Sequence, residues 1–386
     1  MKILMLENLV WDAKVKVGSH QYCKLFQEKH EVLWLALPLN ILSFMCAGLT
    51  KHERFKQWNN GRVVKENEHL FSWCPFGAIP YRNNLGFRSR LAADLSITSC
   101  FPSIKSVLEK NKFDDPDLVW ISDPRYFPLL KYLKYKVLIY RCVDAFSHFD
   151  NIPESVNGLE EELIKSSDIV FATASSLLER VQKIKQDNIY LLNNGVDLQH
   201  FQKQNYLLPE DMKQIAGPTV VFVGALGEWF DTELIAKVAS LNLEINYVLI
   251  GPVRTAVKNL MGLKNVYLLG PKSYDEVPNY MHFSDVCMIP FKDNDISKNV
   301  NPIKLYEYFA LGKPCVATKT EEMRKISSPA RLTDSPQDFY NKILEALNEK
   351  NSNEQLYKEY ASQNSWRHRY DFFSKVINVF RSDVKL

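Results

Sequence analysis

Short apolar runs alternate with amphipathic stretches along the whole chain. In the first half the runs predict strands over residues 2–7, 32–37, 118–122, 137–143, 169–173 and 189–193. Helical periodicity fits 19–29, 103–110, 158–166 and 175–185. The second half restarts the same alternation. Strands are expected over 219–224, 247–251, 266–270, 286–290 and 314–317, and helices over 232–241, 253–261, 275–284, 302–311 and 336–348. A last helix through about Phe380 carries a stripe of Phe372, Phe373, Val376, Val379 and Phe380. Strand–helix alternation, twice over, predicts an α/β chain built on doubly wound parallel sheets. The expected division is 1–205, 206–364 and a closing helix in 365–386.

One element has both ends marked. In Asn301-Pro302-Ile303-Lys304-Leu305-Tyr306-Glu307-Tyr308-Phe309-Ala310-Leu311-Gly312-Lys313-Pro314, Asn301 suits an N-cap, Pro302 the first helical position and Gly312 the residue past the end. Lys304 lies in the first turn, where the helix dipole disfavours a cation. An anion bound at the helix start would explain it. A surface pair with Glu307 at i, i+3 is the other reading.

The stretch from Val32 to Thr50 holds no charged residue, and Lys51, His52, Arg54, Lys56 and Trp58 follow it. Split at Pro38, it predicts a buried strand and then an apolar helix over 39–49. Leu39–Trp58 therefore has three readings: a buried helix, a helix lying on a membrane interface, and a span.

Composition narrows the class. The chain has 386 residues, 46% hydrophobic and 24% charged, with net charge +3. That balance is globular, and too weakly basic for a nucleic-acid partner. Seven cysteines without a CxxC pair fit a reducing cytoplasm and neither a disulfide framework nor a zinc site. The residues before Glu7 are too short an apolar run for a secretory signal. A GxGxxG loop after the first strand, a GxxxxGK[ST] loop and a GxSxG elbow are all absent.

Ligands of open α/β sheets sit beyond the carboxyl ends of the strands. There the sequence offers Asp144 after the 137–143 run, either a general base or a turn cap, and Asp123 with Arg125 after the 118–122 run. In the second half Gly224-Ala225-Leu226-Gly227-Glu228 and Gly251 follow strands, and small residues there admit close approach of a phosphate to backbone N–H groups. Asp293-Asn294-Asp295 reads as a solvated turn.

An ordered set of landmarks in the second half resembles the donor domain of GT-B glycosyltransferases, family GT4 among them. Asn194-Gly195-Val196-Asp197 with His200-Phe201 is similar to the class's junction motif, and Phe222-Val223-Gly224 to its opening strand. Tyr274 through Tyr280, Asp285 and Ile289-Pro290-Phe291 lead to the 301–314 helix, and Ser365-Trp366 with Arg369 resembles the closing helix. The nearest fit is to bacterial polysaccharide-assembly enzymes such as the xanthan glucuronosyltransferase and teichuronic-acid transferases. In the former a strand ending Arg-x-x-Asp supplies the base, and Arg141-Cys142-Val143-Asp144 matches it.

The resemblance implies a GT-B fold, two Rossmann-like domains facing a crevice with a closing helix crossing back. It also implies a metal-independent, hexosyltransferase-type enzyme with no cofactor. A nucleotide-diphosphate sugar, UDP-linked by preference, is the implied donor, and a glycan or lipid-linked saccharide the acceptor. Lys304 would contact the diphosphate and Glu307 the ribose. Gly224, Leu226, Gly227, Glu228, Gly251, Tyr274, Phe291, Asn301, Pro302 and Ile303 complete the expected donor side. Gly18, Ser19, His20, Asp123, Arg125 and Arg141 are the acceptor-side candidates. Asn299 stands where retaining GT4 enzymes carry glutamate, so inversion with Asp144 as base is the implied course. The expected place is the cytoplasm, with peripheral contact to the inner membrane through Leu39–Trp58. Rival readings are a nucleotide-sugar epimerase on the same fold and a non-catalytic nucleotide-sugar-binding scaffold.

Overall fold

The computed structural model describes residues 1–40, 62–84, 86–146, 149, 152–349, 352–384 and 386. The chain forms two compact units, Met1–Asn193 with Tyr370–Leu386, and Asn194–Arg369. Residues 194–205, assigned above to the N-terminal half, lie in the second unit.

Among the described residues eleven strands belong to the first unit: β1 (Lys2–Glu7), β2 (Glu31–Ala36), β3 (Leu39–Asn40), β4 (Val64–Lys65), β5 (Leu70–Trp73), β6 (Phe76–Gly77), β7 (Cys100–Phe101), β8 (Leu118–Ile121), β9 (Val137–Cys142), β10 (Ile169–Ala172) and β11 (Ile189–Leu191). The main sheet runs β11-β10-β9-β8-β1-β2-β5-β4, parallel except for β4. Every residue of β8, β9 and β10 is buried, as a parallel sheet covered on both faces requires. Strand order reverses between β1 and β8, so a topological switch point lies there.

The short strands β3, β6 and β7 form a second sheet. Leu39–Asn40 is thus strand, not the start of the expected helix, because it pairs with Phe76–Gly77. The rest of the Leu39–Trp58 segment lies outside the described residues. Among the described residues no helix is long and apolar enough to cross a membrane.

The second unit holds a wholly parallel sheet: β12 (Thr219–Val223), β13 (Asn246–Ile250), β14 (Val266–Gly270), β15 (Val286–Ile289), β16 (Cys315–Thr318) and β17 (Arg331–Thr333), in the order β14-β13-β12-β15-β16-β17. The helix expected over 253–261 is absent. Arg254 N–H donates to Leu226 O at 2.9 Å and Val253 bridges Leu226, which holds this start of the segment extended, and turns follow up to Gly262.

The last helix, Trp366–Phe380, buries a different stripe from the one expected. Trp366, Tyr370, Phe373 and Ile377 are covered, whereas Phe372 and Val379 are exposed. Within the first unit Phe373 stands 5.5 Å from Trp120, 5.8 Å from Tyr22 and 5.1 Å from Phe171 between ring centroids. An aromatic cluster therefore covers one face of β8 and β10.

Candidate active site

Each unit presents a carboxyl-end edge with distinct chemistry. In the first, register does the assembling. Leu6 pairs with Ile121, and Ile121 with Tyr140. One residue further on, Glu7, Ser122 and Arg141 therefore share a row and a face across β1, β8 and β9. Trp120 Nε1 donates to Glu7 Oε1 at 2.8 Å, Ser122 Oγ donates to the same oxygen at 2.9 Å, and Ser19 Oγ lies 3.1 Å from Ser122 Oγ. Burial pushes the Glu7 carboxyl up to about 7 against these donors and the charge of Arg141. Arg141 lies over the Tyr22 ring at 5.5 Å, and burial lowers its pKa.

Asp144 follows β9 by two residues and is half-buried. Burial pushes its carboxyl up to about 7, opposed by Arg141 and aided by Asp123 and Glu160. Among the described residues no hydrogen bond fixes this carboxylate. A partly exposed carboxyl group whose pKa burial has raised toward neutrality has the character of a general base.

Two acceptor-side candidates have structural work instead. His20 is fully buried: Val17 N–H donates to its Nδ1 at 3.2 Å, and its Nε2 donates to Val10 O at 3.3 Å. Trp34 and Trp11 flank the ring. Burial lowers its pKa to about 3, so it stays neutral and already spends both nitrogens. Asp123 is also fully buried and takes Arg125 in a two-pronged pair, 2.8 Å from Nε and 2.6 Å from the far nitrogen, while accepting the Arg125 N–H at 3.0 Å. Gly18 opens the Gly18–Phe26 helix and is buried, and Ser19 joins the Glu7 network.

In the second unit the marked helix spans Ile303–Ala310, with Pro302 in the capping position. Asn301 is not its cap. Its Oδ1 accepts from Asn194 N–H at 3.0 Å and from Tyr306 OH at 3.1 Å, and its carbonyl accepts from Asn194 Nδ2 at 2.7 Å. It thus ties the junction to the helix start. The C-terminal end is as expected: Gly312 has φ +69°, Lys313 N–H reaches Tyr308 O and Gly312 N–H reaches Phe309 O.

Lys304 Nζ donates to Glu307 Oε2 at 2.5 Å. The lysine keeps about a quarter of its side chain exposed while the glutamate is almost wholly covered. The pair is thus an i, i+3 ion pair whose carboxylate is covered rather than on the surface, and it sits at the N–H-rich end of a helix.

Adjacent loops are knitted by backbone bonds. Gly224 N–H donates to Ile250 O, Leu226 N–H to Pro252 O, Asp231 N–H to Pro290 O and Lys292 N–H to Trp229 O. Gly224 and Leu226 therefore spend their N–H donors on the end of β13 and the loop that follows it. Gly251 has φ +145°, and a Cβ there would lie 1.9 Å from Gly224 O, so only glycine fits. Gly227 lies against the Trp229 ring, Glu228 is exposed and Phe291 is buried beside Phe222. Tyr274 stacks on His200 with centroids 4.0 Å apart, which leaves one ring face covered. Asn294, in the acidic triplet, accepts from Ser297 N–H at 3.0 Å as a turn residue.

Glu7 is the member that sequence reading missed. Its only linear signal is a carboxylate closing an otherwise apolar inner strand.

Residues 217–349 match the family model described as Glycosyl transferases group 1. A Bacillus subtilis protein named as a teichuronic acid biosynthesis glycosyltransferase, TuaH, is 26% identical over 263 residues, 62% of this chain and 66% of that relative. The match thus spans just under two thirds of the relative's length. Sucrose-phosphate synthase from Thermosynechococcus elongatus superposes with a TM-score of 0.73 at 12% identity, covering 100% of each chain. Anabaena HepE, solved in complex with UDP-glucose, gives 0.62 at 16% identity over 98% of this chain and 100% of its own. The fold is GT-B, and the resemblance read from the landmarks holds.

Proposed function

We propose, for a chain with the GT-B fold and a group-1 glycosyltransferase donor segment, that it moves a sugar from a nucleotide diphosphate to a glycan or lipid-linked acceptor. The observation that carries the reading is the Lys304–Glu307 pair at the start of the Ile303–Ala310 helix, inside the matched segment. HepE was solved with UDP-glucose, which favours a UDP-linked donor. TuaH's name favours a bacterial polysaccharide as the setting.

In this proposal Lys304 turns from Glu307 to the diphosphate, and the helix start adds its dipole, so charge developing on the leaving group is met without a metal. Glu307, released, accepts from the ribose hydroxyls. Asp144 takes the proton from an acceptor hydroxyl as its oxygen bonds to the anomeric carbon. The bond from that carbon to the diphosphate breaks with its electron pair, and the anomeric configuration inverts. The hexosyl type, the inversion and a cytoplasmic site of action at a membrane surface belong to the same proposal.

Calorimetry of the full chain against UDP, GDP, TDP and CMP tests it. Micromolar to submillimolar binding of one of them is expected, with UDP first; no binding to any sinks the transferase reading. Flotation with anionic vesicles tests the membrane contact, which a protein left wholly in the bottom fraction would exclude.

A further inference from the structure

The Ile303–Ala310 helix starts without a side-chain cap, because Pro302 stands in the capping position. A capping side chain would take an N–H of the first turn, and here none does. The fixing is done one residue earlier. Asn301 is 2% exposed. Asn194 N–H reaches its Oδ1 at 3.0 Å, Tyr306 OH reaches the same oxygen at 3.1 Å, and Asn194 Nδ2 reaches the Asn301 carbonyl at 2.7 Å. Tyr306 belongs to the helix itself, so its hydroxyl ties the first turn, Lys304 included, back to the residue before it.

The junction makes a firm anchor. Arg369 Nε donates to Asn194 O at 3.2 Å, and the Arg369 guanidinium lies over the Tyr306 ring at 6.0 Å. Val196 N–H donates to Asn364 O at 3.1 Å, and Trp366 N–H donates to Val196 O at 3.0 Å. A Cβ on Gly195 would lie 2.7 Å from Asn364 O, so the two segments touch backbone to backbone. All of these residues lie in the second unit.

From this geometry we infer that Asn301 is a positioning residue for the donor diphosphate. It fixes where the helix begins, and so where Lys304 stands. The inference rests on the reading of Lys304 as the diphosphate contact. An asparagine acting as N-cap would hold the helix by spending an N–H that an anion needs. Asn301 holds it with donors drawn from the junction and from Tyr306, and leaves the first turn to the ligand. Glu307 stands one turn further on and is almost wholly covered, so its place is set by the body of the helix. Loss of the Asn301 oxygen should therefore loosen Lys304 and spare Glu307. An asparagine that only stabilised the unit would instead weaken every ligand alike.

Calorimetry with the nucleoside diphosphate that the wild type binds, UDP first, and ligand-detected NMR with its nucleoside, uridine, test this on the full chain. In Asn301→Ala, UDP affinity should fall about 5- to 10-fold, the worth of one hydrogen bond or slightly more. Uridine affinity should stay within about twofold of wild type. In a Lys304→Met background, Asn301→Ala should cost less than about twofold more, since the group that it positions is gone. Tyr306→Phe keeps the ring on Tyr360 and removes only the hydroxyl. It should show the same selective loss more weakly, and it carries the test if Asn301→Ala does not fold. UDP binding unchanged in both variants overturns the inference. Equal losses for UDP and uridine, or a full further loss in the Lys304→Met background, overturn it as well. A wild-type chain that binds no nucleoside diphosphate overturns the donor reading itself, and the inference with it.

Discussion

The two carboxyl-end edges are built from the same parallel-sheet grammar and solve charge differently. In the first unit, desolvation raises the carboxyl pKa of Glu7, within the buried row, and of half-buried Asp144, beyond it, to about 7. In the second, loops are fastened by backbone bonds and the one buried carboxylate of the helix is matched at once by a lysine. An edge that keeps a proton exchangeable suits acid–base chemistry; an edge of fixed charge and fixed loops suits holding an anion. The contrast follows from whether a covered carboxylate meets a cation in direct contact, as Glu307 does, or neutral donors, as Glu7 does.

The contrast breaks most sharply at Asp144. Asp144→Asn should lower turnover by about three orders of magnitude, within the usual range for a general base, while UDP affinity measured by calorimetry stays near wild type. Equal losses in both would erase the division of labour. Gly251→Ala attacks the other edge: the methyl meets Gly224 O, and unfolding free energy should fall by roughly 3 kcal/mol or more, read from the denaturant midpoint.

A pH series sharpens the first edge. Glu7 rises from an ordinary 4.5 to about 7 in the fold, so the native state binds the extra proton between those values. Its contribution is fully present below pH 4.5 and fades as pH climbs to 7, on the order of 3 kcal/mol at most. Denaturation at pH 5 and pH 8 should show Glu7→Gln flattening that slope. Lys304→Met is the mildest test. UDP affinity should drop about 10- to 100-fold, and thermal stability should fall by about 1–2 kcal/mol because the covered Glu307 loses its partner. A variant that binds UDP as well as wild type would return the pair to a surface ornament.

Much of this was legible along the chain. Buried parallel strands read as unbroken apolar runs, which is why β1 was placed to the residue and β8, β9 and β12 to within one. Leu70–Trp73 and Arg331–Thr333 were not read, because Ser72 in the one and Arg331 and Thr333 in the other leave no unbroken apolar run. At the site, Lys304, Glu307 and Asp144 belong to local motifs and could be named. The role of Glu7 could not, because its partner Ser122 lies 115 residues away and register alone joins them. His20 was misread for a related reason: its two backbone partners, not its residue type, decide that it is structural. Asn301 was misplaced because a cap signature does not reveal a competing partner in Asn194.

The segment Tyr370–Phe380 also sets an order of events during synthesis. The second unit is one uninterrupted stretch and can close as soon as Arg369 has left the ribosome. The first unit, though it emerges earlier, must wait with Tyr22, Trp120 and Phe171 uncapped until Phe373 arrives. The half that is translated first therefore cannot complete its core before the last helix has been made.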